Sequence, residues 1–186
     1  MQRTTKSFSI DNVEKFKEQL LLWSQQFETA IWLDSNKYHQ QYSSFDAALA
    51  VEEFTAIKTD YYNAFEKLKE YQSITKDYIF GYIAYDVKND VEHLKSTNFD
   101  GLDFADLYFF QPQKLFFIKG NTVEFQYLRM VDDEIECDFE NIQQSKNLKI
   151  QQSNTDIKIK LRIHKAEYHP KVNKVINHIK RGDIYE

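Results

Sequence analysis

Lys114-Leu115-Phe116-Phe117-Ile118-Lys119-Gly120-Asn121-Thr122-Val123-Glu124-Phe125-Gln126-Tyr127-Leu128-Arg129 is the stretch on which the fold turns. Lys114–Lys119 and Thr122–Arg129 read as strands, because aromatic and β-branched side chains suit a pleated, half-buried surface. Gly120-Asn121 between them is a two-residue hairpin signal, since both residues tolerate the positive φ such turns need. A hairpin makes its strands antiparallel. Just upstream, Leu107–Phe110 reads as another strand, with Pro112 lying between strands, where a missing N–H does no harm.

Working outward, Thr5–Ile10 alternates and predicts a short strand. Asp11 is placed to cap a helix over 12–26, whose Val13, Phe16, Leu20 and Trp23 recur on one face. Thr29–Leu33 reads as a buried strand ending in the polar loop Asp34-Ser35-Asn36. Phe45–Glu52 alternates with small residues on both faces, and Glu53–Lys58 is read as a further strand. Thr59 or Asp60 is expected to cap a helix to about Tyr71, with Tyr61, Phe65 and Leu68 inward. Tyr78–Tyr85 is apolar on both faces with Gly81 at its middle, the pattern of a strand approached closely by another backbone or a ligand. Val87–Leu94 and Asp132–Gln144 read as short helices.

Lys146–Asp156 is polar and serves as the linker between an N-terminal region, 1–145, and a C-terminal segment, 157–186. In the latter, Ile157–Ile163 alternates as a strand. A helix then runs from Pro170, in its first turn, to Arg181. Its Val172, Val175, Ile176 and Ile179 are spaced i, i+3, i+4, i+7, and Gly182 stands at the C′ position. Hairpins and short links with interspersed helices predict an α+β fold with a mostly antiparallel sheet, not a doubly wound parallel one.

Composition narrows the function classes. The 186 residues contain 4 glycines and 2 prolines but 15 Phe, 12 Tyr and 2 Trp, which excludes linker-like and disordered readings and requires a core. A net charge of −5 argues against nucleic acid as the main partner, since phosphate binding needs a basic face. Lys158, Lys160, Arg162 and Lys165 are read as a solvated face. No apolar run approaches the ~20 residues of a membrane span, and no h-region follows the N-terminus. One cysteine, Cys137, among carboxylates that would raise its pKa, suggests a reducing compartment and no nucleophile. The expected location is cytoplasmic.

Local signatures of catalysis are missing: there is no P-loop, G-x-G-x-x-G, H-E-x-x-H or G-x-S-x-G. His39, His93, His164, His169 and His178 show no metal-ligand spacing. Asp86, after the strand at 78–85, is the best lone carboxylate for acid–base work, and a local capping role suits it better.

Three segments taken together resemble the chorismate-utilising enzymes. Ile31-Trp32-Leu33-Asp34-Ser35 with Tyr42-Ser43-Ser44-Phe45-Asp46 is similar to the family's "L-x-S" strand end and following "Y-S-R-F-D", with Ser44 where Arg is frequent. Phe80-Gly81-Tyr82-Ile83-Ala84-Tyr85-Asp86, with Asp106-Leu107-Tyr108-Phe109-Phe110-Gln111-Pro112, resembles "G-Y-x-x-Y-[DE]" and "P-D-x-Y-F-x-x-P", with Ala105 in place of the first Pro. Tyr168-His169-Pro170-Lys171-Val172, continuing through Ile176 and Ile179 to Gly182-Asp183-Ile184-Tyr185-Glu186, resembles the segment that opens the chorismate-binding catalytic region, with Glu186 for the usual Gln.

The resemblance is strongest to the large component of the para-aminobenzoate (aminodeoxychorismate) branch, with the anthranilate branch as the alternative, and a non-catalytic amino-acid-binding or subunit-docking module beyond it. It implies chorismate as substrate, Mg2+ as cofactor, a glutamine amidotransferase subunit supplying ammonia, and no nucleic-acid or membrane partner. It also implies a tryptophan-type pocket made of Leu33, Ser35, Tyr42, Ser43, Phe45 and Asp46. On this reading the chain is the N-terminal portion of such an enzyme, with the start of the catalytic region at 157–186. It holds no catalytic or metal-binding residue and is expected to be inactive alone.

Overall fold

In the computed structural model the hairpin forms as its turn residues require, with Gly120 at φ +54°. The structure describes all residues except 1, 39, 40, 93, 96, 98, 146–157 and 186. In chain order the elements are β1 (Arg3–Ser9), α1 (Val13–Ser24), β2 (Ala30–Asp34), β3 (Ala47–Thr59), α2 (Ala64–Thr75), β4 (Phe80–Ile83), α3 (Lys88–Val91), β5 (Leu107–Lys119), β6 (Thr122–Leu128), α4 (Ile135–Gln144) and α5 (Lys165–Arg181). Short 3-10 turns at Tyr85–Val87 and Asp132–Glu134 lead into α3 and α4. The chain divides into two compact units, Met1–Leu148 and Lys149–Glu186.

The first unit is one six-stranded sheet in the order β1-β6-β5-β3-β2, with β4 also on β5, and every pairing is antiparallel. The fold is therefore α+β. Neighbouring residues of a strand face opposite sides of a sheet, and here both sides are apolar. Leu49, Val51, Phe116, Phe125 and Tyr127 meet Phe16, Leu20 and Trp23 of α1 and Ile135 and Ile142 of α4. On the other face Ala50, Phe110 and Leu115 pack with Ile31, Phe80 and Phe117. That two-sided burial explains the small residues at 47–50, all fully buried.

α1 forms on the expected face, although its cap is Asn12, whose side chain accepts from the Lys15 N–H, and not Asp11. Gly81 acts as predicted: a Cβ there would lie 1.9 Å from the Tyr108 carbonyl oxygen and 2.6 Å from the Phe109 Cα.

Four further expectations for the first unit are corrected. Glu53–Lys58 is not a separate strand but the continuation of β3, which bulges between Glu53 and Thr55. Pro112 lies inside β5, opposite Glu53 at that bulge, where the ladder is already interrupted and its missing N–H is tolerated. The helix after β3 starts at Ala64, past a left-handed Asn63 with no side-chain cap. Its approach is held by two carboxylates, Asp106, which accepts from the Tyr61 N–H at 2.9 Å, and Asp60, which accepts from the Tyr62 N–H at 3.2 Å. Tyr61 and Phe65 are exposed, and only Leu68 of the three packs inward, against Ala64, Val87 and Leu107.

In the second unit residues 158–164 form no strand, and Ile159, Leu161 and Ile163 are exposed, because alternation makes a strand only where a partner completes the ladder. Helix α5 begins at Lys165, so Pro170 sits in its second turn and not its first. Gly182, φ +79°, ends it with the Asp183 N–H bonded to the His178 carbonyl and its own N–H to that of Ile179, a Schellman closure. The predicted linker lies outside the described residues.

Candidate functional site

The end of β2 makes a cleft because two local bonds turn the chain there and a lysine of α1 anchors it. The Asp34 carboxylate accepts from the Asn36 N–H at 2.8 Å and from Lys17 at 3.0 Å, an Asx-type turn tied to α1. Asn36 and Lys37 take left-handed φ of 50° and 64°, which reverses the chain, and the Tyr38 N–H closes on the Ser35 carbonyl at 2.8 Å. The Ser35 N–H bonds the Asp46 carbonyl at 2.9 Å, and the Asp46 N–H bonds the Ile118 carbonyl at 2.7 Å, so the two segments join the sheet side by side.

Leu33, Ser35, Tyr42, Ser43, Phe45 and Asp46 all line this one cavity of about 270 Å³, together with Asp34 and Ser44. Sequence positions split by the turn are thus brought together. Their states differ. The Ser43 hydroxyl donates to the Phe45 carbonyl at 2.6 Å and shapes the loop. The Asp46 Oδ2 accepts from the Gly120 N–H at 2.7 Å, fastening the loop to the hairpin turn. Phe45 leans on Phe117, ring centroids 5.3 Å apart, while Tyr42 stands almost fully in solvent. Among the described residues no partner bonds the half-buried Ser35 hydroxyl. The arrangement offers a hydroxyl, a carboxylate and flat apolar walls within one cleft.

The other candidates do not assemble. Asp86 lies in the 3-10 turn after β4, paired with Lys88 at 3.0 Å. His178 pairs with Asp183 at 2.8 Å at the end of α5, and His164 stands at the start of that helix without capping it. His39 and His93 lie outside the described residues. Cys137 is exposed on α4. Among the described residues no group of three or more His, Cys, Asp or Glu side chains could hold a metal ion, and no helix is long and apolar enough to cross a membrane.

Two buried charge networks escape sequence reading. Lys114, inward on β5, donates to Glu134 at 2.5 Å and Asp138 at 2.8 Å, and its ammonium lies 5.3–5.7 Å from the rings of Trp23, Phe27 and Tyr127. Burial opposes its charge, but Asp138 and Glu134 outweigh that and raise its pKa above the ordinary lysine value. The Tyr127 hydroxyl donates to Asp138 at 2.9 Å, and burial together with that carboxylate pushes its pKa up. The signal was present as a lysine in an apolar strand and an acidic segment 20 residues on, but nothing local pairs them. The second network joins Arg3 to Asp77.

Comparison with known proteins adds one finding. The family model described as chorismate binding enzyme matches residues 23–186, which include every residue lining the cleft. No curated protein matches the chain.

Proposed function

The chain belongs to the chorismate binding enzyme family, and from that premise we propose that it is part of an enzyme that aminates chorismate, with the cleft at the end of β2 binding tryptophan. The family is enzymatic, and chorismate as substrate fits it. In the reaction proposed, ammonia from a glutamine amidotransferase subunit forms a C–N bond at ring carbon 4 of chorismate. The C–O bond to the 4-hydroxyl breaks, water leaves, and the product is 4-amino-4-deoxychorismate, bound for para-aminobenzoate and folate. The Tyr42-Ser43-Ser44-Phe45-Asp46 stretch favours this branch over the anthranilate one. Magnesium is implied by the resemblance, but the described residues do not fit it, and no step here runs through it.

The observation that carries the amino-acid site is the convergence of Leu33, Ser35, Tyr42, Ser43, Phe45 and Asp46 on one cavity. Ser35 supplies a hydroxyl with no described partner, and Asp46, bonded to Gly120 through Oδ2, keeps Oδ1 for a ligand ammonium. Phe45 and Tyr42 supply apolar surface for a ring. Titration calorimetry of the chain with tryptophan tests this: saturable micromolar binding that Ser35→Ala abolishes is expected. No heat at millimolar tryptophan would overturn it.

A further inference from the structure

β3 is longer than one of its neighbours. On one side it pairs with β5 from Ala47 to Thr59, while on the other β2 reaches only Ala47–Val51. Among the described residues no strand pairs with Glu53–Thr59 on that second side. The Tyr71 hydroxyl donates to the Thr55 carbonyl at 2.8 Å and accepts from the Gln111 N–H at 3.1 Å, so the Thr55 backbone faces β5 across the bulge. Successive residues of an antiparallel strand turn their N–H and C=O groups to opposite sides, so those of Ala56 and Lys58 point to the open side. Glu53, Ala56 and Lys58 are all exposed, and all three line one cavity of about 620 Å³, so the bulge leaves them on a common face. Glu28 lines it too and adds a second carboxylate near Glu53. Glu53 accepts from the Tyr108 hydroxyl at 2.6 Å, and among the described residues the Lys58 ammonium has no ion-pair partner.

A lysine and a bulge on an open edge deter indiscriminate strand addition. This edge is nonetheless complementary to itself. We propose that Glu53–Thr59 is a homodimer edge, on which a second copy of this chain continues the sheet through the same residues. Two copies antiparallel about a two-fold axis at Ala56 exchange N–H to C=O bonds there, with only methyl groups at the centre. That register sets Lys58 of each copy opposite the bulge at Glu53 and Phe54 of the other, so the free ammonium meets a carboxylate twice. The order of the charges, acid before the centre and base after it, selects a copy of this chain over an edge of one sign.

Analytical ultracentrifugation of the full chain tests this. A short edge buries less than the ~1,600 Å² of a standard interface, so the dimer is a weak one, sought from about 1 µM to about 1 mM chain. The mass should rise from 22.3 kDa toward twice that value with concentration. Lys58→Glu alters an exposed side chain without a partner and should fold, yet it sets acid against acid and should weaken the dimer about tenfold or more. Glu53→Lys should do the same, and joining the two substitutions should return the affinity to within about fivefold of the parent. Hydrogen exchange at Ala56 and Lys58 should slow as the dimer forms. A mass that stays at 22.3 kDa throughout would overturn the proposal. So would a dimer that neither single substitution weakens, since it would use another face, or a folded double variant that stays monomeric.

Discussion

Arg3 does more for the sheet than its place near the chain start suggests. Along one edge of β5 the partner changes from β4, at Leu107–Phe110, to β6, at Lys114–Lys119. In the gap the Arg3 guanidinium donates to the Pro112 carbonyl at 2.6 Å, the Gln126 carbonyl at 2.9 Å and the Asp77 carboxylate at 2.9 Å. Arg3 and Asp77 side chains are each only 6% exposed. Removing one member of a buried pair strands the other's charge, so Arg3→Ala should cost about 3–5 kcal/mol, read as a lower urea midpoint. An unchanged midpoint would show that the pair is not stabilising. Burial raises the Asp77 carboxyl, but Arg3, Gln111 and the Tyr78 N–H outweigh it and hold its pKa below the usual carboxylate value. A depressed folded pKa gives stability that is present above the unfolded value and is lost as pH falls through the folded one. Asp77→Asn should therefore flatten the loss of stability below about pH 4 that the parent shows in acid unfolding.

At the scale of elements, β4 is the short strand whose pairing depends on one missing side chain. Ala at 81 would drive a methyl into the backbone of Tyr108 and Phe109, with no flexible side-chain end to yield at the closest contact. Gly81→Ala is expected to destabilise by about 1–3 kcal/mol or more, as overpacking does, and hydrogen exchange should localise the damage to Phe80–Ile83. Protection at Phe80–Ile83 equal to the parent's would contradict the close approach. Elements with a strong local signal formed as read: α1 from its apolar face, the hairpin from Gly120-Asn121, the end of α5 from Gly182. Those read wrongly were decided by neighbours. Glu53–Lys58 stays in β3 because β5 is long enough to pair along its whole length. The alternation at 158–163 has no ladder to join among the described residues.

For the whole molecule, the first unit holds its own cores on both faces of one sheet, all drawn from residues 8–142, and carries the candidate cleft. The cleft lies between the end of β2 and the segment that enters β3, and Asp46 of that segment is fastened to the hairpin turn through the Gly120 N–H.

The antiparallel α+β class, the turn at Gly120-Asn121, the close approach at Gly81 and six of the eight residues that line the cleft could all be named from the sequence. Each rests on local chemistry or on a motif contained in a few adjacent positions. What only the tertiary structure decided is how distant positions complete one another. The Arg3–Asp77 clamp spans 74 residues, the Lys114–Asp138 network 24, and Tyr78 reaches the wall beside Phe45 through Phe117. A buried charge or an orphaned carbonyl requires a partner, but its identity depends on which chain segments the sheet order brings side by side, and no local pattern encodes that order.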